Sequence, residues 1–173
     1  DLYMYEDGPF LNRCIDDGFL KAKNVNKIKF AFMWANHDWV EIHPYTRGTK
    51  QKLLYPGKVS LQRFEEIGDE LIAKYFSKSN YWKIDGKPYF SVYDIQKFIE
   101  GFGSIEATKA TMERLNKKAI AAGLKGIHWN MVAWGQPILP VEKISVNFPD
   151  LMKLLGFDSA TSYVWIHHAN LPD

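Results

Sequence analysis

Residues 29–43 read KFAFMWANHDWVEIH, and this stretch decides the fold. Its apolar run from Phe30 to Trp34 carries aromatics and no helical period, the pattern of a strand covered on both faces. The run stops at Ala35-Asn36-His37-Asp38-Trp39, where carboxamide, imidazole, carboxylate and indole follow one another. A core has no use for such a burst, because each buried polar group needs its own partner. The polar end of this strand is therefore where a ligand is expected.

Outward from that strand the chain alternates. Leu2 to Tyr5 reads as the tail of an earlier strand. Gly8-Pro9 reads as a turn with proline at a first helical position, and Phe10, Leu11, Cys14, Ile15, Phe19 and Leu20 as one face of a helix. Lys27 to Trp34 is the central strand, and residues 35–59 follow as a loop. At about 25 residues, with Pro44, Gly48, Pro56 and Gly57, this loop exceeds an ordinary connection and points to function. Ser60 caps a helix reaching about Phe76. Asp85-Gly86-Lys87-Pro88 turns into a strand from Tyr89 to Tyr93 that ends at Asp94. Ser104 caps a long helix closed by Gly123. Gly126 to Val132 is the next strand and ends in Ala133-Trp134-Gly135. A short helix near Phe148 to Leu155 leads to a last strand, Asp158 to Trp165, running into Ile166-His167-His168.

Strict alternation of strand and helix predicts parallel strands joined by right-handed crossovers. A doubly wound sheet and a (β/α)8 barrel share this order. No glycine-rich phosphate loop follows any strand, so no nucleotide cofactor is expected. Chemically equipped side chains sit after nearly every strand, where a barrel assembles its site. The fold class read from the sequence is thus α/β, a partial (β/α)8 TIM-type barrel. A complete barrel takes ~250 residues. Residues 1–173 are accordingly expected to form one domain, the N-terminal and central part of a larger barrel. The open edge of such an arc predicts pairing with a second copy or with the rest of the barrel.

Composition narrows the function. The chain is 46% hydrophobic and 24% charged with a net charge of +2, which gives no reason to invoke nucleic acid or an anionic membrane. No apolar stretch is long enough to span a bilayer. Cys14 stands alone, which excludes a disulfide framework and a cysteine-based zinc site. Aromatics reach 15%, and indole and phenol faces stack on sugar rings as well as they fill cores. The chain begins in mid-pattern without a signal peptide, so it reads as a piece of a longer protein. It does not encode its compartment, and a periplasmic or secreted location is the working expectation.

Trp34-Ala35-Asn36-His37-Asp38-Trp39, followed by Lys83-Ile84-Asp85-Gly86-Lys87-Pro88-Tyr89-Phe90, resembles the glycoside hydrolase family 99-like group, also called WbsX-like. Tyr3-Met4-Tyr5-Glu6-Asp7-Gly8-Pro9-Phe10 is similar to the family's segment after its first strand. The resemblance runs to about Trp165 and implies a barrel acting on carbohydrate. Many relatives read WANENW, so the carboxylate here is displaced by one residue, from position 37 to Asp38. The family's catalytic carboxylates lie in a later asparagine-glutamate-tryptophan segment that this chain lacks, which implies an inactive fragment.

Glycosidic cleavage needs a carboxyl group on each side of the bond. Asp38 and Asp94 are the catalytic candidates; their structural alternatives are a hydrogen bond that pins the long loop and a helix cap before Ile95. Asn36 matches a sugar hydroxyl by being donor and acceptor at once. Trp34, His37, Trp39, Tyr93, Asn130, Trp134, Tyr163 and His167 complete the substrate-binding candidates, with core or rim packing as the plain alternative. No metal is expected, because adjacent His167 and His168 point opposite ways on extended chain. Lys50, Lys52 and Lys58 read as a solvated face or, less simply, as attraction to an acidic polysaccharide. Hydrolysis of a glycan leads, with a carbohydrate-binding module and a glycosyltransferase-type role in polysaccharide assembly as alternatives.

Overall fold

The computed structural model describes residues 1–44, 46–133 and 148–164. β1 (Tyr3–Tyr5) and β2 (Gly8–Phe10) form a short antiparallel hairpin. β3 (Phe32–Trp34) is the opening strand, and Leu2 bridges Trp34 in parallel, so the chain enters beside it. β4 (Trp39–Val40) and β5 (Leu53–Tyr55) make an antiparallel ribbon within the long loop. α1 (Leu61–Leu71) runs on through a wider helical turn to Phe76. β6 (Lys83–Ile84) folds back on β7 (Lys87–Val92) through Asp85-Gly86, both at positive φ. Then come α2 (Ile95–Phe102), α3 (Ile105–Ala121), β8 (His128–Ala133), α4 (Phe148–Leu155) and β9 (Ser159–Ser162).

β3, β7, β8 and β9 lie side by side in chain order, every pair parallel. Among the described residues no reversal of strand order occurs, so this part of the sheet has no switch point of a doubly wound fold. Among the described residues the strands do not close into a ring.

The two faces of this sheet differ, because successive side chains alternate across a strand. Phe32, Trp34, Phe90, Val92, Trp129 and Met131 join the buried core, which the helices contribute to through Phe64, Ile67, Phe98, Met112, Leu115 and Leu151. Gly68 of α1 lets Leu115 of α3 approach until a Cβ would sit 2.3 Å from its methyl. The opposite face is polar. Ser91 donates to Asn130 Oδ1 at 2.7 Å, Thr161 donates to the same oxygen at 3.0 Å, and Asn130 Nδ2 donates to Ser159 at 2.9 Å. His128 Nε2 lies 2.8 Å from Ser159 Oγ, and its ring stacks on Tyr89.

Two expectations change. The helix expected from Phe10 begins later and is irregular, with Ile15 and Leu20 packed on the core as expected: Gly8 to Phe10 instead pair with β1 as an edge strand, where a proline without an N–H is tolerated. Only a wide turn at Cys14–Gly18 and a tight one at Phe19–Lys21 follow. The loop 35–59 also has a framework of its own in β4 and β5.

Candidate functional site

Because the strands are parallel, the residues after Trp34, Val92 and Ser162 emerge at one end of the sheet. Asn36 sets the geometry there. Its Nδ2 donates to the Asp94 carbonyl at 2.8 Å, and its Oδ1 accepts from the Asp94 amide at 2.8 Å. The side chain thus imitates one more backbone pair of the β3–β7 ladder. It is fully buried, so it offers a ligand no surface. The structure corrects the expectation of direct sugar contact: Asn36 positions Asp94.

The two carboxylates meet through Lys97. Asp94 Oδ1 accepts the Lys97 amide at 2.9 Å and so caps α2, while Lys97 Nζ lies 3.1 Å from Asp38 Oδ2 and 2.9 Å from Glu100. Asp38 Oδ1 accepts the Gly57 amide at 2.7 Å, which ties the far end of the long loop to its beginning. Gly57 is packed so closely that a Cβ would stand 2.4 Å from the Asn36 carbonyl oxygen. Beyond it, Val59 packs under Gly101 of α2, whose Cβ would stand 2.5 Å from the Val59 oxygen. Residues 57–59 are clamped between strand tip and helix.

Burial pushes the Asp94 carboxyl above the usual aspartate value; Asp38 adds to this, while the Lys97 amide and ammonium oppose it. A carboxyl whose folded pKa is raised gives stability that is complete below the unfolded value and lost as pH rises through the folded value. Asp94→Asn keeps an acceptor for the cap and removes that loss. At neutral pH it is expected to be at least as stable as the parent, whereas Asp94→Ala should lose about 1 kcal/mol with the cap. Urea melts at acidic and neutral pH check this. Equal damage from both variants would refute the capping role.

Aromatic rings line the same end. Ring centres run from Phe10 to Trp39 (5.8 Å), to His37 (5.5 Å), to Tyr93 (5.6 Å) and to Tyr163 (4.9 Å). Tyr3 touches Phe10, His37 and Trp39 from one side. His37 Nδ1 lies 3.0 Å from the Asp38 carbonyl, which can only accept, so Nδ1 carries the proton and the other ring nitrogen of a neutral imidazole is an acceptor. The Trp39 indole donates to the Tyr5 hydroxyl, which donates to the Ala35 carbonyl at 3.3 Å. Burial pushes the Tyr5 phenol up to about 12. Tyr93 is likewise pushed up, by burial and by its bond with Tyr163. These phenols stay protonated through the physiological range and can donate.

His37, Trp39, Tyr93 and Tyr163 are brought together, with Asp38 and Asp94 beside them. Two other candidates are not. Trp34 is 1% exposed, wedged against Phe64 and Phe98 with its indole N–H on the Met4 carbonyl at 3.0 Å, so it faces the helices. Asn130 is buried in the polar face and bonded to Ser91, Ser159 and Thr161. Trp134 and His167 lie outside the described residues. Lys97 and Gly57 were missed by the sequence reading. Lys97 was readable as the third residue after a capping aspartate; nothing in sequence marks Gly57 beyond the turn dipeptide Pro56-Gly57. Among the described residues no cluster of three metal-ligating side chains forms, and no helix is long and apolar enough to cross a membrane.

Fold and site together define a class: a parallel α/β domain with an aromatic, carboxylate-bearing rim at the carboxyl ends of its strands. Residues 2–164 match the family described as Glycosyltransferase WbsX. The chain belongs to that family, as the WANHDW and KIDGKPYF motifs imply. No curated protein and no solved structure matches it.

Proposed function

We propose that this domain processes a glycan laid across the aromatic rim, and that its sheet is an arc of a (β/α)8 barrel. The observation that carries the reading is the unbroken run of ring contacts from Trp39 through His37 and Tyr93 to Tyr163, at the tips of β3, β7 and β9. Such rings stack on sugar faces, while phenol hydroxyls and imidazole nitrogen meet sugar hydroxyls. The uninterrupted strand order and the polar second face support the barrel. Asp38, held by Gly57 and Lys97 at the edge of the rim, is the carboxylate we place against the glycan. Asp94 supports it as the cap of α2, and a second reacting carboxyl group is assigned to a later strand of the complete barrel. Hydrolysis is the reaction this arrangement serves best.

Calorimetric titration with a panel of oligosaccharides, α-mannosides included, tests the binding. Tyr93→Ala and Trp39→Ala are each expected to weaken it roughly three- to tenfold. Absence of saturable binding across the panel would sink the proposal. The family's description favours a second reading, glycosyl transfer in polysaccharide assembly. Release of reducing ends by the full-length protein supports hydrolysis; consumption of a nucleotide sugar without such release supports transfer.

A further inference from the structure

The two hairpins at the site end carry bare aliphatic and aromatic side chains. Phe10 is 47% exposed, Leu11 60%, Ile42 50%, Leu53 51% and Leu54 55%. Scattered apolar residues are ordinary on a surface, but these gather on two adjoining short elements. The elements are joined at their bases, where Phe10 meets Trp39, Trp39 pairs with Tyr55, and Tyr55 meets Tyr5. Their outer residues have no such packing: Leu53 and Leu54 are neighbours on β5, so they point to opposite sides of the ribbon and both are exposed.

The β1–β2 turn carries the exposed carboxylates Glu6 and Asp7, whereas around the β4–β5 ribbon the charge is mostly positive. Residues 41–58 carry Arg47, Lys50, Lys52 and Lys58 against the lone carboxylate Glu41. All four cations are exposed, and among the described residues none is in an ion pair. On the helices Arg63, Lys74, Lys97, Arg114 and Lys118 are paired with carboxylates, while Lys109 and Lys117 stand exposed and, among the described residues, outside any ion pair. A near-neutral chain thus conceals a local basic patch interleaved with aliphatics. Cations alone would suit an acidic polysaccharide, but exposed leucines gain nothing from one. Aliphatics that enter the acyl boundary, ringed by cations that stay among anionic headgroups, suit a lipid surface.

We propose that the β4–β5 ribbon docks this domain peripherally on an anionic membrane, with the glycan rim held close to the lipid. The proposal stands on exposure and charge and does not depend on the reaction catalysed. Sedimentation with phosphatidylcholine vesicles, with and without phosphatidylglycerol, tests it. Binding is expected only with phosphatidylglycerol and should weaken with salt. Leu53→Ser/Leu54→Ser and Lys50→Glu/Lys52→Glu should each lower the partition coefficient about tenfold or more. Lys109→Glu/Lys117→Glu, on exposed positions of α3, changes net charge equally and should leave it unchanged. Failure to sediment with either vesicle overturns the proposal, as does an equal loss in the α3 variant. Retention on an acidic polysaccharide column that needs the lysines but not the leucines, without vesicle binding, overturns it in favour of an acidic glycan.

Discussion

Replacing Gly57 with alanine is expected to destabilise the domain by about 3 kcal/mol and to disable the site together with it. The added methyl would stand 2.4 Å from both the Asn36 carbonyl oxygen and the His37 carbonyl carbon. These are backbone atoms of the strand tip, which cannot swing away as a flexible side chain would. Relief requires residues 57–59 to lift off, and that breaks the Gly57–Asp38 hydrogen bond at 2.7 Å and the packing of Val59 beneath Gly101. For a domain of this size the melting temperature should fall by roughly 6–12 °C. Glycan affinity should fall further than Tyr93→Ala alone lowers it, because His37 and Asp38 move together. A Gly57→Ala protein melting within a degree or two of the parent would show that the loop does not sit as described.

Asn36→Ala is the second large effect. It leaves the Asp94 amide without its partner in a buried place, at a cost of roughly 1–3 kcal/mol, and takes from the Asp94 carbonyl one of two donors, the Phe98 amide at 3.1 Å remaining. A loss of about 2–4 kcal/mol follows, read as a lowered urea midpoint at unchanged slope. Asn36→Asp is expected to be no better: one oxygen can still accept the Asp94 amide, but the other faces the Asp94 carbonyl as acceptor against acceptor. A residue that only touched sugar would behave oppositely, losing affinity while keeping stability. The two measurements on one variant therefore separate the roles.

The strand order and the position of the candidate site were legible because they rest on short-range patterns. An apolar run that breaks into Asn36-His37-Asp38-Trp39 announces both a buried strand and its polar, aromatic tip. Ser60 and Ser104 were legible as caps since a hydroxyl before a helical pattern has few other uses, and both accept the expected amide. Direction of side chains was less readable. Trp34 and Asn36 share the tip with His37, and the burst of polar and aromatic types there does not say which of them is turned inward. Pairing decides it: Trp34 falls on the face that α1 and α2 cover, and the Asn36 carboxamide continues the ladder. The first hairpin was misread because Gly8-Pro9 suits both a helix start and an edge strand. Only its pairing with Tyr3–Tyr5 chooses, and that is a tertiary fact.

The seam on the polar face of the sheet bears on synthesis. Asn130 can take Ser91 as soon as β8 lies against β7, yet its remaining hydrogen bonds wait for Ser159 and Thr161 on β9. Within the parallel sheet of β3, β7, β8 and β9 each strand lies beside the one before, so each one leaving the ribosome finds its neighbour already seated. Growth from the amino end adds one layer at a time, and the latest strand to arrive satisfies the polar groups that the one before it left open.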